Sequence, residues 1–110
     1  MEENQKLCRI IDEMTLFLLE LGLNDVSFNI KKLPNKTILM YECDIFDMDK
    51  LKEIDIALKH KRELAFEMYG WELIGQGDMD HELELVSTLI NYFTYYIKEN
   101  KIMMVMVRYE

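Results

Sequence analysis

The sequence predicts an α+β fold: a two-layer sandwich with a largely antiparallel sheet, helices on one face, and the order α-β-β-α-α-β-β. Three observations carry this. A long amphipathic stripe opens the chain, two pairs of β-rich segments are each joined by a short polar turn, and the segments between the pairs repeat at helical spacing. With 110 residues, one core and one domain over residues 1–110 are expected.

The first helix spans about Glu3 to Leu21. Leu7, Ile10, Ile11, Met14, Leu18 and Leu21 recur every three or four residues and form one apolar stripe. Gly22 follows the last of them, where a C-terminal cap belongs. Val26, Phe28 and Ile30 then alternate with Ser27, Asn29 and Lys31, the period of a strand. Leu33-Pro34-Asn35-Lys36 suits a tight turn, because proline presets one central φ and Asn tolerates the next. Ile38 to Ile45 is the returning strand.

Asp47 or Asp49 caps a second helix over about Met48 to Tyr69. Its inner stripe is Leu51, Ile54, Leu58, Ala65 and Met68, flanked by Ala57 and Leu64. Gly70, Gly75 and Gly77 bracket a loop or short strand around Trp71. A third helix begins near Asp78 or Asp80 and buries Leu83, Val86 and Ile90. Phe93–Ile97 and Ile102–Val107 form a terminal hairpin across Lys98-Glu99-Asn100-Lys101. Its final strand is a possible sheet edge, open to a partner strand.

Charge and composition narrow the function. The chain carries 13 Lys and Arg against 21 Asp and Glu, a net −8. That disfavours nucleic acid and anionic membranes, both of which reward a basic face. No apolar run approaches the ~18 residues needed to cross a bilayer, and the opening Met1-Glu-Glu-Asn-Gln-Lys is unlike a signal peptide. Cys8 and Cys43 lack metal or redox spacing and read as free thiols of a reducing cytoplasm.

Polar clusters are few. Asp78, Asp80, His81, Glu82 and Glu84 suit a helix start better than a metal site, since no EF-hand or HExxH spacing is present. Glu42, Asp44, Asp47 and Asp49 end a strand and fit a solvated loop with a helix cap. His60 lies among Lys59, Lys61 and Arg62, which disfavour its protonated form. No serine or cysteine has a histidine at a nucleophile's spacing. The strongest interaction signal is the terminal hairpin, apolar on both faces where a singly covered hairpin alternates apolar with polar. Tyr92, Tyr96, Met104 and Met106 are the expected interface residues, meeting a protein partner or a second copy in a homodimer.

The order of elements also resembles the histidine-kinase-like ATPase fold (GHKL, or Bergerat), and within it the short anti-sigma-factor serine kinases of bacteria. The tail from Leu85-Val-Ser-Thr-Leu-Ile-Asn through Ile102–Arg108 is similar to that family's last helix and two strands. Ile11-Asp-Glu-Met-Thr-Leu-Phe17 is similar to its E-A-x-x-N helix, and Asp44-Ile-Phe-Asp47 falls at its D-x-G-x-G-F motif. The resemblance implies Glu13 as general base, Asp44 on adenine, Asp80 and Glu82 beside the phosphates, and ATP with magnesium as cofactor.

The departures point elsewhere. Phe17 stands where an asparagine would hold magnesium. Asp80 and Glu82 stand where glycine amides would cradle phosphate. A carboxylate beside a phosphate costs roughly 4 kcal/mol at ~4 Å and an effective dielectric of ~20. The expectation is therefore a cytoplasmic regulatory or interaction domain with a degenerate kinase-like fold, no catalytic residue, no metal and no cofactor. The alternatives are an active serine kinase, or a small acidic inhibitor that masks a basic target.

Overall fold

The structure, a computed structural model, describes residues 2–59 and 81–110, with the side chains of His81 and Glu82 excepted. Its elements are α1 (Glu3–Glu20), β1 (Val26–Leu33), β2 (Lys36–Asp44), α2 (Met48–Lys59), α3 (His81–Leu89), β3 (Tyr92–Lys98) and β4 (Lys101–Tyr109). The expected α+β architecture and element order are present. The outer part of the expected second helix (Leu64, Ala65, Met68), the Trp71 loop with Gly70, Gly75 and Gly77, and His60, Asp78 and Asp80 lie outside the described residues.

Local sequence accounts for each boundary. Gln5 accepts a hydrogen bond from the Glu2 amide at 3.2 Å and closes the first turn of α1. Gly22 takes φ +91° and donates its N–H to the Leu19 carbonyl at 3.0 Å, ending the helix in the left-handed conformation that glycine tolerates. Asp47 caps α2, its Oδ1 accepting the Asp49 N–H at 2.9 Å. Two-residue turns close both hairpins, on the pairs Leu33↔Lys36 and Lys98↔Lys101.

The four strands are antiparallel in the order β1-β2-β4-β3. The chain's last strand is thus central, paired with β2 on one side and β3 on the other, and the sheet edges are β1 and β3. This corrects the expectation of β4 as an edge. Nine consecutive pairs join it to β2, from Lys36↔Tyr109 to Asp44↔Lys101, and that long pairing is invisible to local alternation.

Register sorts the sheet into two faces. Leu39, Tyr41 and Cys43 of β2, Ile102, Met104 and Met106 of β4, and Phe93 of β3 are at most 1% exposed. They pack with Ile10, Met14 and Leu18 of α1, Leu51, Ile54 and Leu58 of α2, and Leu83, Val86 and Ile90 of α3 in one cluster. Tyr41 anchors α1 above β2: its Oη lies 2.9 Å from Thr15 Oγ1 and donates to the Ile11 carbonyl at 3.0 Å. Because α1 sits over β2, the inner face of β1 is left half-covered, and Phe28 and Ile30 are 49% and 43% exposed.

Candidate functional site: the open face of the sheet

An antiparallel pair places directly opposed residues on the same face. Tyr96 opposes Met103, which opposes Glu42. Thr94 opposes Val105, which opposes Met40. Tyr92 opposes Val107, which opposes Ile38. These residues form the face turned away from the helices. Ile38, Met40, Met103, Val105 and Val107 are half-buried, and none belongs to the core cluster or to the partly buried residues packed against it. Among the described residues no helix covers them.

The expected interface set is therefore corrected. Tyr92 and Tyr96 do lie on this face, but Met104 and Met106 are 0% and 1% exposed, inside the core beneath the helices. A two-residue turn pairs each even-numbered residue of β3 with an odd-numbered residue of β4, so the tyrosines share their face with Met103, Val105 and Val107. Ile38 and Met40, outside the expected set, also lie on this face, opposite Val107 and Val105. Their signal is the uninterrupted run Ile38-Leu39-Met40-Tyr41, apolar at both parities as a central strand with two occupied faces requires.

Charge rings the apolar centre. Lys31 and Lys36 sit at the Pro34–Asn35 end, and Lys98, Lys101, Glu42 and Asp44 at the other. Lys101 donates to Asp44 Oδ1 at 2.7 Å, which raises the Lys101 pKa. Lys31, Lys36 and Lys98 then outnumber Glu42 and Asp25 by one, giving this face a small positive excess on a chain of net −8. A shallow depression of about 140 Å³ lies between β1 and β2, lined by Ser27, Asn29, Met40, Glu42 and Met103 among others.

The residues implied by the kinase resemblance are scattered. Glu13 is on α1 and accepts from Arg9 Nε at 3.3 Å. Asp44 is on the sheet face opposite the one that α1 covers. Phe17 is 3% exposed in the core. Glu82 is in the first turn of α3, and Asp80 lies outside the described residues. No group of three or more His, Cys, Asp or Glu able to hold a metal occurs among the described residues. Cys8 is exposed and Cys43 buried, both as free thiols. No helix among the described residues is long and apolar enough to cross a membrane.

One family model matches the chain, described as Protein of unknown function (DUF1374), over residues 36–110. The match runs from the first residue of β2 to the C-terminus and so contains β2, β3 and β4, which build most of the open face. No curated protein and no solved structure matches.

Proposed function

The chain belongs to the DUF1374 family, and we propose that it is a cytoplasmic protein-interaction domain, not an enzyme, that docks a protein partner on the open face of its sheet. The carrying observation is the apolar centre Ile38, Met40, Met103, Val105 and Val107, with no described helix over it. An apolar core with a charged rim is the composition of a protein interface. The lysine excess at the rim suits a partner with an acidic border, and the net −8 disfavours nucleic acid.

ATP chemistry has less support. A nucleotide site of the resembled kind needs Glu13, Asp44 and a ligand at position 17 to converge. Here Glu13 pairs with Arg9, Asp44 pairs with Lys101 across the sheet from α1, and Phe17 fills the core. Calorimetric titration with ATP and magnesium is expected to give no binding below millimolar. A micromolar Kd would favour the kinase reading.

Site-specific photo-crosslinking in cells tests the docking face. A photoreactive residue at position 105 or 38 is expected to form adducts with another protein, and one at exposed Glu53 on α2 is not. Adducts confined to the chain itself would overturn the proposal.

A further inference from the structure

We infer that β1 is a self-association edge, across which two copies of the chain join their sheets into one. The turn closing on Leu33↔Lys36 directs the N–H and C=O groups of Ser27, Asn29, Lys31 and Leu33 toward β2. Those of Val26, Phe28, Ile30 and Lys32 therefore point outward. Among the described residues no strand pairs with them. The edge has neither a bulge nor a proline: its eight residues pair with β2 in unbroken register, and its two charges, Lys31 and Lys32, sit together at one end, leaving Val26 to Ile30 uncharged.

The same alternate residues expose apolar side chains on the helix side. Phe28 and Ile30 are nearly half exposed, although their strand neighbours across β2, Tyr41 and Leu39, are buried. The flank of α1 beside them is fixed by Asn4, which accepts from Lys32 Nζ at 2.8 Å, and by Thr15 on Tyr41. Leu19, one turn beyond Thr15, is 53% exposed on that stripe.

The occupant that fits is a second copy. Antiparallel self-pairing about Asn29 sets Phe28 opposite the other copy's Ile30, an aromatic–β-branched pair made twice by symmetry. It sets Val26 opposite Lys32 and Ser27 opposite Lys31, so no like charges oppose. Asp25, just before the strand, then meets the other copy's Lys31 diagonally on the same face. A parallel arrangement would instead stack Lys31 and Lys32 on themselves. This contact leaves the open face free and lengthens it.

Sedimentation equilibrium and amide exchange on the full chain test the inference. At high micromolar concentration the wild type is expected at twice its 13.3 kDa monomer mass. Phe28→Lys, at an exposed position, and Ile30→Pro, which removes an outward N–H, are each expected to weaken the dimer at least tenfold. The amides of Val26, Phe28, Ile30 and Lys32 should exchange quickly in dilute protein and slowly in concentrated protein, while those of Ser27, Asn29 and Lys31 stay slow in both. A wild type that stays monomeric would overturn the inference. So would a dimer whose outward amides exchange freely, which would move self-association to another surface. Outward amides already protected in the dilute monomer would mean that the chain covers its own edge, and would overturn it equally.

Discussion

Arg108, near the end of β4, grips Glu3, at the start of α1, through two parallel bonds: Nε to Oε2 at 2.8 Å and Nη2 to Oε1 at 3.2 Å. Its Nη1 also donates to the Leu89 carbonyl, the last residue of α3. One guanidinium thus places an anion at a helix N-terminus and a cation at a helix C-terminus, both favoured by the helix dipoles. It joins the sheet to two helices that are far apart in sequence.

The Glu3 carboxyl is held below its ordinary pKa of 4.5, first by the Arg108 hydrogen bond. A carboxylate whose folded pKa is lowered stabilises the fold above its unfolded pKa and loses that effect as pH falls through the folded value. Arg108→Ala is expected to lower Tm near neutral pH. The gap to wild type should narrow as pH drops below 4.5. Arg108→Lys, unable to form the fork, should recover less than half of the loss. Thermal melts across acidic pH check this.

The turn between β3 and β4 is suboptimal for its shape. Glu99 and Asn100 take φ of 53° and 64°. Both are positive, as in a type I′ turn, which favours Asn-Gly. Glutamate gains no local hydrogen bond from that conformation, so Glu99→Asn with Asn100→Gly is expected to stabilise the chain by about 0.5–1 kcal/mol. Urea unfolding should show a higher midpoint with an unchanged slope.

The two thiols should differ in reactivity. Burial, with Asp44 adding to it, pushes the Cys43 thiol up to about 11 from its ordinary 9.0, while Cys8 is exposed. Only a thiolate alkylates readily, so mildly alkaline iodoacetamide should label Cys8 alone until the chain unfolds. A raised folded pKa also means that the native state keeps its proton longer than the unfolded chain. Stability should therefore fall as pH rises from about 9 to about 11. The raised Lys101 amine acts in the same direction as it loses its charge.

Neighbouring methionines on β4 give opposite expectations. Met104 is fully buried under the helices, whereas Met103 lies on the open face. Met104→Lys buries an unpaired charge and should unfold the chain. Met103→Lys should leave circular dichroism and Tm nearly unchanged and abolish partner docking.

Much of this was legible in the sequence, and the failures have a common cause. The α1 stripe, the Gly22 cap, the Asp47 cap and both hairpins depend on residues close in the chain, where period and turn chemistry decide. That Phe28 and Ile30 would stay half exposed could not be read the same way, because it depends on where α1 lands over the sheet. The central place of β4 depends on its pairing with β2, more than fifty residues away. Alternation alone shows that both faces of the terminal hairpin are apolar. Which methionines join the tyrosines, however, required counting across Glu99–Asn100, where a loop one residue longer would have exchanged Met103 for Met104.

The most direct measurement is the accessibility of the methionine methyls to a soluble paramagnetic probe, by NMR on dilute, methyl-labelled protein. With the sheet face open and awaiting a partner, the Met40 and Met103 methyls should be strongly broadened, and those of Met14, Met104 and Met106 should be spared. Met40 and Met103 protected as fully as Met104 would contradict the account, because the chain would then cover its own docking face.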